Sequence, residues 1–558
     1  MNTTTTTSKK KPYSEEIYTS PDSIKIIWGD SAYELLNNKS FQTEWDQLYE
    51  DCPWATVFQS SGYSRSWYAA FHREFIPLLL YAYNEEGHLT GLLTLASRHN
   101  LQEENRGKIV VAGEYESEYQ VWLSRKDNDK FIKEAFVLLL KKFPGFDVLF
   151  RFIPDGSILE NLLKDPQLKK KLVTQPFQRP IMYTDAPQLP GLLKLTGQYK
   201  NKYKRLQKLG KISFVKITSF DDFTNVLPEI MAQFDFRQGA MFNKNQFKES
   251  PQKSEFFLRL FREGLLHVTL FKLDEDILAS MVGIYGRNWI HLQGINTHSP
   301  QYGKHSPGIL HFNLLGKLIK NEGMEAFDLT PGLDPYKERW ATAHDTVYTL
   351  TLTNNRKFYL KRFLRKIIHG GLIKIGLRPM KVELWVEKQI YLIKKRSANG
   401  QLRRYWARAK NYPHAFQLPP PAAQATFNIK KNNLDDLLNY KDEKTELTRW
   451  EFLETTMKSM TEGKTIYTYA TEDTLLASIS VGKVIKKNGE LTPKKDIPEH
   501  SYYLENIHVH PEHKYLAPPF LSAVAHEIYK QQAPSSVYVY LKKEDGGLKP
   551  NSKITESK

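Results

Sequence analysis

The chain has 558 residues, a net charge of +17, 41% hydrophobic residues and a single cysteine, Cys52. That length suits about three to four domains with buried cores, and one cysteine excludes intramolecular disulfides and thiolate metal clusters, which fits a reducing cytoplasm. The longest apolar runs, near Pro77–Tyr83 and Phe136–Leu140, fall far short of the roughly 18 residues of a membrane span, and the Thr-rich then basic Met1–Lys11 has no apolar core and is no signal peptide.

In chain order, Ser23–Tyr183 predicts a strand at Ile24–Trp28 and helices near Phe41–Tyr49 and Tyr63–His72. A strand pair over Ile76–Ala96, turning at Asn84–Gly87, comes next, then a helix at Lys130–Lys142 and a strand at Asp147–Phe152. The order recurs from Lys211. A strand (Ile212–Ile217) leads to helices Asp221–Arg237 and Gln252–Glu263 and to two strands, Leu265–Leu273 and Asp276–Tyr285. Then come an apolar strand from Trp289 to Ile295, a polar turn from His298 to Gly308, and a helix with Leu310, Leu314 and Leu318 on one stripe. A strand at Ala326–Leu329, a short helix from Tyr336 and a strand at Thr346–Leu352 close the second pass. After Leu418-Pro-Pro-Pro421, residues Ala425–Leu541 repeat the order a third time, with strands Thr465–Tyr469, Leu475–Val481 and Tyr502–Val509 before a helix at Phe520–Tyr529. Strands followed by one crossover helix predict a mixed sheet with a parallel pair at each crossover.

The stretch from Trp289 to Gly308 is the most informative. A strand that runs through a glycine-containing turn into a helix leaves backbone N–H groups free at the positive end of the helix dipole. Ser306, Pro307, Gly308 and Ile309 are therefore candidate contacts for a cofactor pyrophosphate.

Other residues join them in a recognisable order. They are Phe58-Gln59-Ser60 with Trp67, Glu118-Tyr119, and Lys204-Arg205-Leu206 with Gly210; then Ser306-Pro307-Gly308, Phe327-Asp328-Leu329, Gly332, and Tyr336-Lys337 with Trp340. Over roughly residues 24–353 the chain resembles the GNAT acyltransferase fold, in its CelD/BcsL-type, BioF-like branch related to the FemAB peptidyltransferases. The resemblance implies an α/β fold of mixed sheets in which tandem GNAT-like modules, 23–190 and 191–354, follow a disordered N-terminus at 1–22. A basic helical segment (355–417), a Pro-rich linker (418–424), a degenerate GNAT-like domain (425–542) and a disordered tail (543–558) complete the expected order. It also implies an N-acyltransferase, using acetyl-CoA or another acyl-CoA and acting on an amine of a sugar, lipid precursor or small metabolite. The first module would shape the acceptor cleft and the second would hold the cofactor. Two alternatives stay open: a FemAB-like transferase dependent on aminoacyl-tRNA, and a catalytically silent scaffold at a membrane surface.

Ser-Pro-Gly departs from the wider superfamily's Arg/Gln-x-x-Gly-x-Gly/Ala loop, with less room for phosphate oxygens. In the third pass, Leu504–His513 ends like a GNAT fourth strand, but Lys514-Tyr-Leu-Ala-Pro-Pro519 has no glycine, and its prolines remove N–H donors.

Acyl transfer to an amine needs a proton acceptor for the amine, a donor for the carbonyl oxygen and an acid for the thiolate. Tyr336 is a candidate acid and Lys337 a candidate anion holder; alternatively Tyr336 and Trp340, spaced i and i+4, pack one helix face while Lys337 is solvated. Asp328 is a candidate general base if it faces the cleft, and otherwise a structural cap or ion-pair partner. Lys204 and Arg205, in the basic run Lys200–Lys208, meet an anionic cofactor or substrate or form a solvated face. Arg237 and Trp340 complete the substrate candidates. The histidines at 291, 298, 305 and 311, and His508-x-His510-x-x-His513, are expected in structural or surface roles, with no metal.

Residues Arg356–Asn411 hold 17 Lys and Arg against two acids, a net of +15 out of the chain's +17. Phe358, Leu360, Phe363, Leu364, Ile367 and Ile368 form an apolar stripe with cations opposite, ended by Gly370-Gly371. A second basic helix is expected at Val382–Lys395, and Leu402–Lys410 adds more charge. Three destinations suit such helices: packing on the second module with cations in water, peripheral contact with an anionic membrane through residues 356–410 at its cytoplasmic face, or RNA. Arginine-rich and base-stacking signatures are missing, which disfavours nucleic acid.

Overall fold

The computed structural model describes residues 24–398 apart from 102, 126, 127, 129 and 158, residues 414–418, and residues 427–541 apart from 444, 446, 488, 489, 493–497, 533 and 535. The expectations for 1–22, 402–410, 543–558 and most of the 418–424 linker lie outside the described residues.

The first strands are β1 (Lys25–Trp28), β2 (Ile76–Tyr83), β3 (Leu89–Ser97), β4 (Gly107–Val111), β5 (Leu123–Ser124), β6 (Phe146–Ile153) and β7 (Leu172–Tyr183). The second pass supplies β8 (Ile212–Ile217), β9 (Leu266–Leu273), β10 (Asp276–Gly286), β11 (Trp289–His298), β12 (Ala326–Asp328) and β13 (Ala343–Leu352). All belong to one 13-stranded sheet, ordered β1-β2-β3-β4-β6-β13-β7-β12-β11-β10-β9-β8, with β5 beside β3. Each half therefore runs through four antiparallel strands to a parallel pair, β4 with β6 and β11 with β12, as the crossover pattern predicts.

The order contains a reciprocal exchange. β7, from the first pass, lies between β12 and β13, and β13, from the second, lies between β6 and β7. A strand inside the segment assigned to the first module thus completes the second, so the two passes share one sheet and fold as one layer. β7 itself was missed in the sequence because Pro176, Pro180 and the polar Gln175, Gln178 and Arg179 break its alternation. Its ladder to β12 covers only Ile181–Tyr183, so Pro176 sits where one side alone is paired, and at Pro180 the β12 side asks only for a carbonyl, which accepts from Leu329 N at 3.1 Å.

Helices cover the sheet. α1 (Asp30–Asn37), α2 (Lys39–Asp51) and α3 (Ser61–Ala70) follow β1; Asn38 and Ser60 cap the second and third by accepting from Phe41 N and Tyr63 N. α4 (Lys130–Lys142), α5 (Leu159–Lys164), α6 (Leu189–Leu192) and α7 (Gly197–Gln207) come before β8. α8 (Phe220–Phe242), α9 (Gln246–Glu249), α10 (Gln252–Arg262), α11 (Pro307–Asn321) and α12 (Pro335–Glu338) belong to the second pass. Trp45, Trp67 and Trp122 are among the largest fully buried side chains of the main core.

α13 (Arg356–Lys374) and α14 (Pro379–Ala398) form a hairpin after β13. Gly370 and Gly371 do not end α13, contrary to expectation. A Cβ at either would meet nothing within 4 Å, and two glycines cost only about 2 kcal/mol, which the continuing helix absorbs. The stop comes at Gly376, φ +74°, where Leu377 N–H reaches Leu372 O at 2.9 Å and closes a left-handed C-cap.

The third pass forms its own sheet, which begins with β14 (His414–Leu418), at the end of the stretch expected to be helical, and continues with β15 (Lys430–Lys431), β16 (Thr465–Ala470) and β17 (Leu475–Lys483). A small hairpin, β18 (Ile485–Lys487) and β19 (Glu490–Thr492), comes before β20 (Tyr502–Val509) and β21 (Val537–Leu541), and the sheet order is β14-β21-β20-β17-β16-β15. Its helices are α15 (Leu434–Leu438), α16 (Arg449–Thr461) and α17 (Ala517–Gln532). α16 docks on α8: Trp450 Nε1 donates to Ala240 O at 3.1 Å, and Phe236 and Ala240 share a core cluster with Leu437, Phe452 and Leu453.

Candidate active site

The parallel pair β11–β12 lasts three residues, from Trp289 opposite Ala326 to His291 opposite Asp328. β12 then stops, while β11 runs on to His298 paired only with β10. The register shifts at Gly283, opposite Gly294, whose φ is 125° and whose Cβ would lie 2.1 Å from Val282 O, so only glycine fits that bulge. A bulge bends its strand, and here it leaves a wedge between the two strands. A 3₁₀ turn at Pro300–His305 and Ser306 in the left-handed region, φ 54°, then deliver the chain to α11.

The donors at that turn are fewer than its helix N-terminus suggests. Ser306 N–H is bonded to Gly303 O at 2.9 Å, Pro307 has none, and Ile309 N–H turns back to Ser306 O at 3.1 Å. Gly308 alone among them makes no backbone hydrogen bond among the described residues. A Cβ there would meet only the His298 ring, at 3.5 Å, so space is left above the amide. Cations make up the difference. Lys202 Nζ donates to Ser306 Oγ at 2.7 Å, and Lys202, Arg205 and Lys304 all press on His305 and, after burial, hold its pKa down. Arg205 stands near the turn as the basic run suggested; Lys204 is exposed, and no ion pair ties it among the described residues. Lys202 is the residue that sequence reasoning passed over. It lies one turn before Leu206, whose full burial marks the inner face of α7.

Beside the wedge lies a cleft of about 580 Å³. β11 lines it with Gln293 and Asn296, α8 with Gln238, and the loop after β12 with Thr330, Tyr336 and Lys337. The first module closes the other wall through Arg151 and Glu114–Glu116, and the buried pair Lys253–Glu116, at 2.9 Å, crosses between the walls. Tyr336 packs edge-on against Phe312. Burial, then Asp334, push its phenol up to about 12 against the pull of Arg237 and Arg378. It is a proton donor at neutral pH. Arg237 Nη1 donates to Asn296 O at 3.3 Å and carries its charge toward Tyr336. His298, expected in a structural or surface role, sits between Arg237 and Gly308; burial, then Arg237, drop its pKa to about 3, so it is neutral.

Three expected site residues are committed elsewhere. Lys337, expected either to hold an anion or to be solvated, is 5% exposed, and its Nζ donates to Thr330 O, Thr330 Oγ1 and Pro331 O at 3.0, 2.8 and 3.3 Å. It pins a loop in which Thr330 and Leu333 have φ of 60° and 55°; burial lowers its pKa against Asp334, Glu118 and Asp328. Trp340 is 3% exposed inside the core with Phe312 and Phe327 and cannot contact substrate. Asp328 is fully buried rather than facing the cleft. It accepts from His291 Nδ1 at 2.7 Å and from Thr330 N at 2.9 Å. Burial alone would raise its pKa, but the His291 hydrogen bond and the Arg179 charge outweigh that and hold it low. An acid so placed positions the Thr330 loop.

Motif residues of the first module gather at the same buried seam. The Phe58 ring packs at a tilt against His291, centroids 5.2 Å apart, Gln59 Nε2 donates to Tyr119 O at 2.8 Å, and the Arg179 guanidinium lies 4.9 Å over the Tyr119 ring. Glu118 Oε2 is 2.9 Å from Arg151 Nη2, and burial keeps its pKa raised despite that charge.

At the equivalent turn of the third pass, Pro518 and Pro519 fall in the first turn of α17, while His508 is wedged against Tyr440 and Phe452 with its pKa lowered to about 4, chiefly by burial.

Residues 194–338, from just before α7 through α12, match a family model described as an acetyltransferase (GNAT) domain. No curated protein matches the chain. Among solved structures, the C-terminal domain of a putative lysylphosphatidylglycerol synthetase from Agrobacterium fabrum is similar at 10% identity over 59% of this chain and 95% of that one, TM-score 0.37. FemX is similar at 10% identity over 57% and 98%, TM-score 0.40, and a tandem GNAT protein from the clavulanic acid pathway at 11% over 59% and 98%, TM-score 0.33. Scores this small carry no argument about activity.

Proposed function

We propose that this chain is an N-acyltransferase of the tandem GNAT kind, in the BioF-like, CelD/BcsL-type branch that its motif order resembles. It would take its acyl group from an acyl-CoA, acetyl-CoA first, and pass it to an amine of a sugar, lipid precursor or small metabolite. The observation that carries the reading is the wedge between β11 and β12: Tyr336 lines the cleft beside it, and Arg237 links that phenol to His298, whose ring lies against Gly308. The GNAT-domain match over the same residues supports it. The site fits a diphosphate through one amide and the cations of Lys202 and Arg205 rather than through a ring of amides.

The bound thioester supplies an activated acyl carbon. The cleft brings the amine to it, the N–C bond forms as the C–S bond breaks, and the amine's proton passes to solvent. Tyr336 Oη, protonated at neutral pH, gives its proton to the leaving sulfur. Arg237 and neutral His298 hold the wall beside Gly308.

Calorimetric titration of the full chain with acetyl-CoA tests the reading. The wild type should bind and Gly308→Asp should not, while Tyr336→Phe should bind normally and release CoA more slowly with an amine acceptor. Equal heats for wild type and Gly308→Asp would refute it.

A further inference from the structure

Burial on α13 runs opposite to hydropathy. The side facing β7 carries His369, bonded to Gln175 Nε2 and to Glu383 Oε1 at 2.8 Å each, and Arg362, whose Nε reaches Thr351 Oγ1 at 3.1 Å. The outer side carries Leu360, Leu364, Ile367 and Ile368, the last 59% exposed. α14 does the same. Lys388 and Tyr391 face Glu454 and Trp450 of the third domain, while Val386, Ile390, Ile393 and Trp385, 63% exposed, point away. Ile375, Leu377 and Met380 continue the apolar surface around the connecting turn. Of 19 large hydrophobic side chains exposed among the described residues, 13 lie between Leu360 and Ile393. Scattered exposed apolar groups are ordinary, but a concentration like this marks a surface that something covers.

Charge says what covers it. Residues 356–398 hold 13 Lys and Arg against two acids, a net of +11, and Glu383 is already paired with Arg365 and His369. Lys357, Lys361, Lys366, Lys374, Lys381 and Lys394 have no ion-pair partner among the described residues. A second copy of the chain would bring the same positive face against this one and be repelled. Apolar ridges flanked by unpaired lysines complement acyl chains beneath anionic headgroups, and no described helix is long and apolar enough to cross a membrane.

We propose that α13 and α14 dock this protein flat on an anionic lipid bilayer, with Leu364, Ile367, Ile368, Trp385 and Ile390 in the interface and the lysines on the headgroups. The inference is independent of the chemistry at β11, but it places that chemistry. Arg378, in the connecting turn, donates to Gly332 O at 3.1 Å and pairs with Asp334, so the docked surface adjoins the loop that carries Tyr336.

Flotation of the full chain with vesicles tests this. Binding is expected to vesicles of phosphatidylcholine with about a third phosphatidylglycerol, and to be at least tenfold weaker to phosphatidylcholine alone or in about 1 M salt. Ile367→Ser, Ile368→Ser and Trp385→Ser together, and separately Lys357→Ser, Lys361→Ser and Lys366→Ser, should each cut binding about tenfold or more without moving the thermal transition. Wild type that stays with the soluble fraction, equal binding to both lipids, or a dimer in light scattering that the apolar variant abolishes would each overturn the proposal; the wild-type comparison stands even if a variant fails to fold.

Discussion

The second half of the 13-stranded sheet and the six-stranded sheet of the third pass carry the same frame at their parallel pairs. β11 meets β12 over three residues, and β20 meets β21 over three, Tyr502–Leu504 with Val537–Val539. Each central strand then runs on past its parallel partner, paired only on its antiparallel side, into a 3₁₀ turn, Pro300–His305 or Pro511–Leu516, and a helix. The difference is confined to the joint. Ser306 is left-handed and breaks the turn from α11, with Gly308 behind it, whereas Ala517 has φ −59° and feeds the turn straight into α17, where two prolines remove the donors. One frame can thus be an anion site or a plain helix start, and three residues decide which.

The sharpest way to break that contrast is Gly308→Asp. A carboxylate against a diphosphate should cost about 3 kcal/mol, or roughly a hundredfold in acyl-CoA affinity by calorimetry. Pro518→Ala in the third domain should change nothing, and the full chain should bind a single equivalent. Lys337→Met should lower unfolding free energy by about 2 kcal/mol in urea, because it leaves the Thr330 and Pro331 carbonyls buried without a donor. Lys202→Ala should weaken acyl-CoA binding about tenfold and flatten its salt dependence, while Lys204→Ala, two residues away, should leave both unchanged. The smallest effect is on pH. His298 and His311, at about 3, and His508, at about 4, are neutral when folded and titrate near 6.5 when unfolded. The unfolded chain then binds more protons below pH 6.5, so stability should be full above that value and fall as the pH drops toward 4, by about 1.4 kcal/mol per pH unit for each proton. Thermal scans across pH check this, and a flat profile would mean these rings are not buried as neutral groups.

Much of the architecture was legible in short-range pattern. Alternation located β2, β3, β9, β10 and β11, and helical spacing located α4 and α10 almost to the residue. β7 was not legible, because a strand inserted between elements from another part of the chain can tolerate prolines that an isolated pattern reads as breaks. The hydropathy of Leu360–Ile368 was legible as a stripe, but which side of α13 met the protein was not: hydrogen bonds of His369 and Arg362 to β7, β13 and α14, not apolar contact, set its roll. At the candidate site, Gly308, Tyr336 and Arg237 were named from residue type, spacing and the family resemblance. Lys202 was not, because one helical run of five cations offers no internal sign of which faces inward.

By itself the sequence determined where strands and helices start, that glycine stands at the Gly294 bulge and behind the Ser306 turn, and that the surplus charge sits in one segment. These are local matters of φ, donor supply and composition. Only the tertiary structure decided that β7 and β13 trade places, that Asp328 and Trp340 turn inward, and that the oily side of α13 faces out. Each of those outcomes depends on partners in other elements, such as His291 for Asp328 or Gln175 for His369, whose combined contacts outweigh any neighbour's preference.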